Sequence, residues 1–93
     1  MKYTSQTSNQ FEKDVKKVKK QGKDIELLKG IMLILLNGDP LDAKYKDHDL
    51  RGNWKGYREL HIEPDWLLIY KRFEVELIIR FERTGSHSEL FSK

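Results

Sequence analysis

The apolar positions of this 93-residue chain follow a helical period in the first half and an alternating one in the second. Phe11, Val15 and Val18 recur along one helix face, with Lys13, Lys16, Lys17, Lys19 and Lys20 on the outer faces between them. Ser8 stands where an N-cap hydroxyl is needed, and Gly22 stops the run. Asp24 opens a second helix, whose broad stripe of Ile25, Leu28, Ile31, Met32 and Leu35 ends at Asn37-Gly38. So few residues join the two that an antiparallel helix hairpin is expected. Ahead of them, residues 2–4 suit a short edge strand.

Beyond Asp39-Pro40 the pattern changes. Residues 41–53 are mainly polar, include Tyr45 and His48, and follow no period; a loop this long in a compact domain is often functional. From Trp54 onward the pattern is that of strands. Residues 57–62 alternate, Glu63-Pro64-Asp65 makes a turn, and residues 66–71 form a second strand rich in Leu, Ile and Tyr. A turn around residues 73–75 leads into a third strand at 76–83, with Leu77, Ile79 and Phe81 sharing a face. Gly85 then releases residues 86–91 as a turn near the sheet edge. The expected fold class is α+β, two N-terminal helices packed on a small antiparallel β-sheet, in a single domain spanning 1–93.

Composition narrows the functional classes. Apolar residues at 38% are enough for one core, and 35% charged residues leave a heavily solvated surface. The absence of cysteine excludes a disulfide frame and thiolate chemistry. The opening MKYTSQTSNQF lacks the apolar run of a signal peptide, and residues 31–36 fall far short of the roughly 20 needed to cross a bilayer. A cytoplasmic protein without membrane attachment is expected. The net charge of +3 hides an asymmetry, because residues 1–24 hold seven lysines against Glu12, Asp14 and Asp24, a balance of +4. Such a face attracts phosphate backbones through counterion release, which makes Lys13, Lys16, Lys17, Lys19, Lys20 and Lys23 candidate RNA contacts. The same pattern also describes a plain solvated helix face.

The candidate chemistry lies in the second half. All three histidines (His48, His61 and His87) sit beside turns or strand ends there, together with Asp65 and Arg83. Imidazole gives and takes protons near neutral pH, so this set suits metal-free cleavage of a phosphodiester. Alternation puts Tyr57, Glu59 and His61 on one strand face and Arg58, Leu60 and Ile62 on the other. The second set reads as core, which turns His61 toward solvent or a cleft. Pro64 limits the turn between His61 and Asp65; the plainer reading has Asp65 capping that turn and His61 solvated. Arg83 has the fork that suits a phosphate, yet Glu82, Glu59 or Asp65 would serve equally as its partner. Trp66 and Phe81 read as core, whereas Phe91 either pins the tail or stacks on a base. The histidines and Asp65 are residue types that bind zinc or iron, but their spacing matches no tight ligand motif, so no metal or other cofactor is expected.

Taken together, these segments resemble a known family. GNWKGYRELHIEPDWLLIY followed by RTGSHSELF is similar to the YafQ branch of the RelE superfamily, the toxins of bacterial type II toxin–antitoxin pairs. The likeness extends through KDVKKVKKQGKDIELLK and YKDHDLRG, nearly the whole chain in one order. It implies a RelE-like microbial ribonuclease fold, in agreement with the architecture above. It also implies a ribosome-dependent mRNA endoribonuclease, or mRNA interferase, that enters the A site of the 70S ribosome, stops translation and growth, and is held inactive in a hetero-oligomer with a DinJ-like antitoxin. Carried over by position, the active-site residues are His48 in YKDHDL, His61 and Asp65 in HIEPDW, and His87 and Phe91 in GSHSELF. Arg83 in RTG matches the arginine that the superfamily tends to place near the scissile phosphate.

The implied chemistry is in-line attack of a ribose 2′-OH on the adjacent phosphorus, leaving a 2′,3′-cyclic phosphate and a 5′-OH. His87 is the expected general acid, Asp65 or His48 the base, and His61 and Arg83 the groups that hold the phosphate. An ordinary aspartate titrates near ~3.9, so a neutral imidazole at His48 is the better-matched base. Two other functions compete: a non-catalytic basic RNA- or ribosome-binding module neutralised by a partner protein, and a protein-interaction module whose whole role is the antitoxin contact.

Overall fold

In the computed structural model, which describes residues 1–91, the order is β1 (Thr4–Thr7), α1 (Asn9–Lys20), α2 (Ile25–Asn37), β2 (His48–Asp49), β3 (Arg58–Glu63), β4 (Trp66–Phe73), β5 (Ile78–Gly85) and α3 (His87–Phe91). Local chemistry accounts for the helix ends. The Ser8 hydroxyl accepts from the Phe11 amide at the start of α1, and the Asp24 carboxylate accepts from the Glu26 amide at the start of α2. Gly38, at φ 75°, closes α2 in the left-handed conformation and returns its N–H to the Ile34 and Leu35 carbonyls. Within residues 41–53 the chain makes a 3-10 turn at Ala43–Tyr45 and the short strand β2.

The five strands lie in the order β1-β5-β4-β3-β2. The β3–β4 and β4–β5 pairs are antiparallel as expected, and β2, in a stretch that reads as an irregular loop, adds antiparallel to β3. But β1 runs parallel to β5, with Thr4 opposite Ile78 and Thr7 opposite Phe81. The sheet is therefore mixed at one edge. An N-terminal strand has no hairpin turn to set its direction, and here it must deliver the chain into α1, which lies over β5. Residues 4–7, rather than 2–4, make this strand.

One sheet face carries α1 and α2. There Phe11, Val18, Leu28, Ile31 and Leu35 meet Leu60, Ile62, Trp66, Leu68, Tyr70, Ile79 and Phe81. On the opposite face Leu67 and Ile69 of β4 pack with Leu90 of α3, flanked by Leu50, Trp54 and Tyr57. Burial on both faces is why β4 reads as an unbroken apolar run.

Two further expectations need correction. Leu77, grouped with Ile79 and Phe81 by alternation, instead lies in the β4–β5 turn at φ 57° and is 43% exposed. Tyr70 pairs with Phe81 and Ile69 with Arg83, so Glu82 is the extra residue of a β-bulge. Phe81 and Thr84, three residues apart, consequently share the helix-covered face, where Thr84 Oγ1 accepts from Trp66 Nε1 at 2.9 Å and donates to the Leu67 carbonyl at 2.7 Å. Finally, the tail is a helix rather than a turn. The Glu89 N–H donates to Ser86 Oγ at 3.2 Å and the Ser86 N–H donates to Glu89 Oε1 at 2.8 Å, a capping box. A Cβ on Gly85 would come within 3.0 Å of that Glu89 oxygen, so glycine lets α3 fold back on the strand end.

Candidate active site

His48 is positioned by its neighbours in the chain. Lys46 takes a left-handed conformation, φ 53°, and its carbonyl accepts from His48 Nδ1 at 2.7 Å. A carbonyl only accepts, so Nδ1 carries a proton and Nε2 is the lone pair of the neutral ring. On either side, Arg58 donates to Asp47 at 3.2 Å and to Asp49 at 2.6 Å, and the Tyr70 hydroxyl donates to Asp47 at 2.7 Å. Burial, then the Asp47 carboxylate, holds the Tyr70 phenol well above its ordinary range, so it remains a donor. Arg58 is thus a strap for this loop rather than a core companion of Leu60 and Ile62.

Pairing of β2 with β3 sets His48 opposite Glu59. Glu59 shares the His61 face of β3, is 5% exposed, and has Oε1 3.4 Å from His48 Nε2 and 3.6 Å from His61 Nε2. From the far side, α3 brings His87 to Asp65. One oxygen of Asp65 accepts both the His87 amide at 2.9 Å and His87 Nδ1 at 2.7 Å, and these two bonds hold the carboxyl below its ordinary range. The result is a row of three imidazoles, with His61 between His48 (centroids 6.2 Å apart) and His87 (5.6 Å). His61 is the least exposed of them. The partner of Asp65 is therefore His87 and not its hairpin neighbour His61.

Arg83 is placed differently from expectation. Its guanidinium donates to Asp14 of α1 at 2.7 Å and 3.2 Å, and Asp14 also accepts from the Thr84 amide at 3.2 Å and from Gln10 at 3.0 Å. None of Glu82, Glu59 or Asp65 holds it. The bulge at Glu82 shifts the register, and α1 crosses β5 where β1 has ended, so the fork finds a carboxylate 69 positions earlier in the chain. The tail is pinned by Leu90, which is buried, whereas Phe91 stays 38% exposed with its ring edge-on to Trp54 at 6.4 Å.

The lysines also divide. Lys17 pairs with Glu89 at 2.9 Å, and Gln21 donates to the same carboxylate at 3.0 Å. The Ser86 amide first, then Lys17 and Gln21, hold the Glu89 carboxyl at a pKa of about 2. Lys23 lies 3.9 Å from Glu63. Lys13, Lys16, Lys19 and Lys20 are exposed, with no ion-pair carboxylate among the described residues.

Glu59 is the site residue that sequence reasoning passed over, although its place two residues before His61 on the same face was the signal. Together with His61 and His87 it offers donor atoms all within 4.8 Å of one another, a set that fits a divalent cation of the zinc type. Linear spacing hides this set because its members come from β3 and α3.

The family model for the bacterial toxin of type II toxin–antitoxin systems, YafQ, matches residues 3–92. The mRNA interferase toxin YafQ of Escherichia coli K12 is 54% identical over 85 residues, 90% of each chain. A chain of the E. coli DinJ–YafQ complex superposes with a TM-score of 0.87 at 51% identity, covering 96% of this chain and 98% of that one. The metal-bound toxin from Helicobacter pylori gives 0.90 at 45% identity, covering 96% and 99%. The chain belongs to the YafQ family of bacterial toxins of type II toxin–antitoxin systems.

Proposed function

We propose that this toxin is an mRNA interferase, a single-domain endoribonuclease over residues 1–93 that cuts mRNA in the ribosomal A site by acid–base catalysis with its own side chains. The observation that carries this reading is the row of three imidazoles with a carboxylate on the outer ring. His87, oriented through Nδ1 by Asp65, protonates the departing 5′-oxygen through Nε2. Asp65, its carboxyl held below the ordinary range, balances the imidazolium and is a poor base. The base is then His48, whose Nδ1 proton is committed to Lys46 and whose Nε2 lone pair is the one to receive the 2′-OH proton. His61 holds the phosphate, with Glu59 behind it as counterion. Phe91 offers its exposed ring to a base.

In this reading Arg83 serves the site through Asp14, fixing the strand end from which α3 starts, and does not grip the phosphate directly. Lys13, Lys16, Lys19 and Lys20 draw the toxin to ribosomal RNA, which supplies the positioning that so open a site lacks. The partner is a DinJ-like antitoxin in a cytoplasmic hetero-oligomer, as the E. coli relative forms with DinJ.

Inducible expression of wild type and His87→Ala without antitoxin, with primer extension on a reporter messenger, tests the assignment. Growth arrest with discrete cuts from wild type alone is expected. Arrest by both without cuts would instead support the non-catalytic ribosome-binding module. The side-chain mechanism has its own check: cleavage should persist in a chelator selective for zinc-group metals, and its loss would move Glu59, His61 and His87 into a metal site.

A further inference from the structure

A groove of about 330 Å³ opens beside the row of rings, lined by Lys44, Lys46, His61, Ile62, Glu63 and Pro64. It exists because β2 is only two residues long. β2 pairs with Arg58 and Glu59 alone, so the outer edge of β3 from Leu60 to Glu63 has no strand beside it. The Ala43–Tyr45 turn lies against that edge, yet among the described residues no main-chain hydrogen bond joins the two. The groove is therefore lined by two lysines, by Glu63, by apolar Ile62 and Pro64 and by His61, with unpaired main-chain donors and acceptors along the β3 edge.

We propose that this groove is a nucleotide subsite that takes the nucleotide on the 5′ side of the scissile bond. The inference rests on the ribonuclease reading for its place in the reaction, since His87, assigned to the leaving oxygen, lies beyond His61 from this wall. The wall is also joined to the assigned base. Lys46 lines the groove and its carbonyl accepts from His48 Nδ1, so a residue of the groove wall also orients the ring that activates that nucleotide's 2′-OH. A left-handed lysine is a strained conformation, of the kind that clusters at functional sites. The volume suits a small ligand, at the lower end of the roughly 300–1,000 Å³ usual for such sites. Phosphate is the natural counterion of Lys44 and Lys46, a base stacks on imidazole, and free main-chain groups along a strand edge read its hydrogen-bonding rim.

The test uses the full chain, wild type and the double variant Lys44→Glu, Lys46→Glu, with Lys44→Met, Lys46→Met as the charge-neutral control, each first matched for thermal stability. In the binding arm, ¹H–¹⁵N spectra are recorded with a non-cleavable 2′-O-methyl dinucleotide. The amides of Lys46, His61, Ile62 and Glu63 should shift in wild type and stay still in the double variant. In the cleavage arm, ribosome-programmed mRNA is mapped by primer extension. The double variant should lose roughly tenfold or more in kcat/KM, carried mainly by KM, and its base preference immediately 5′ of the cut should change. Shifts at these amides in a wild type that makes no cuts would keep the subsite and discard the ribonuclease reading. Cuts of unchanged rate and base preference in the double variant, or dinucleotide shifts confined to other residues, would overturn the subsite; a groove that instead responds only to antitoxin peptide would do the same.

Discussion

Asp14 and Glu59 are carboxylates withdrawn from water; Asp14 holds Arg83 from far along the chain, and Glu59 lies 3.4 Å from His48 and 3.6 Å from His61. Asp14 leaves no lone pair idle: Arg83, the Thr84 amide and Gln10 all donate to it. Removing it strands a half-buried guanidinium and a buried amide, so Asp14→Ala should cost roughly 3 kcal/mol in urea denaturation. A loss under about 1 kcal/mol would show that water replaces the carboxylate and that the clasp is unimportant. At the rings, His87→Ala should lower cleavage by about 10² or more if it removes the general acid. Asp65→Asn keeps an acceptor for the His87 amide while removing the charge, so it should cost less than His87→Ala and shift the pH profile of the residual activity. Equal losses in the two variants would mean that Asp65 does more than orient the ring.

α3 is a single turn and a half, too short to hold by itself, and Glu89 is what fixes it. That carboxylate closes the capping box and ties the turn to Lys17 and Gln21 of the first helix region. Its pKa is depressed from 4.5 to about 2, so its stabilising contribution is complete above the ordinary carboxylate range and is lost as pH falls from about 4.5 toward 2. Asp65, also depressed, acts in the same direction. Amide protection in residues 86–91 should therefore stay constant from pH 8 to about 5 and drop below it; protection unchanged down to pH 2 would deny Glu89 this role. Glu89→Gln should loosen α3 even at neutral pH and reduce cleavage, because His87 and Phe91 ride on it. Lys17 pairs with Glu89 of this element and so stands apart from the lysines proposed to meet RNA, which a lysine count alone gave no means of telling.

At the scale of the molecule, the sheet separates the main core from the proposed site. Its helix-covered face holds the main core, and its other face presents the rings, α3 and Phe91. The exposed lysines of α1 form a further surface, and attraction of such a surface to RNA is electrostatic and salt-sensitive. Reversing Lys13, Lys16 and Lys20 should weaken cosedimentation with ribosomes, most strongly at low salt, while leaving thermal stability unchanged. Lys17→Glu should do the opposite, lowering stability with a smaller effect on sedimentation. Undiminished cosedimentation of the triple variant would remove the basic helix from the account.

Local order along the chain was enough for most of what depends on neighbours, the Ser86–Glu89 capping box of α3 being the exception. Ser8 and Asp24 start helices because their side chains reach amides two or three residues ahead, Gly38 ends one because it tolerates positive φ, and WLLIY reads as a strand because both its faces are apolar. The likeness of its segments to the YafQ toxins was legible for the same reason: motif residues keep their order. The rest is long-range. That β1 runs parallel to β5, that one extra residue at Glu82 turns Arg83 toward Asp14, and that a two-residue β2 faces His48 onto Glu59 all depend on pairings across the fold. Hydrogen-bond donors find whichever acceptor the fold brings near, and sequence distance carries no information about which one that is. Asp65 therefore orients a histidine 22 positions away instead of the one four positions before it.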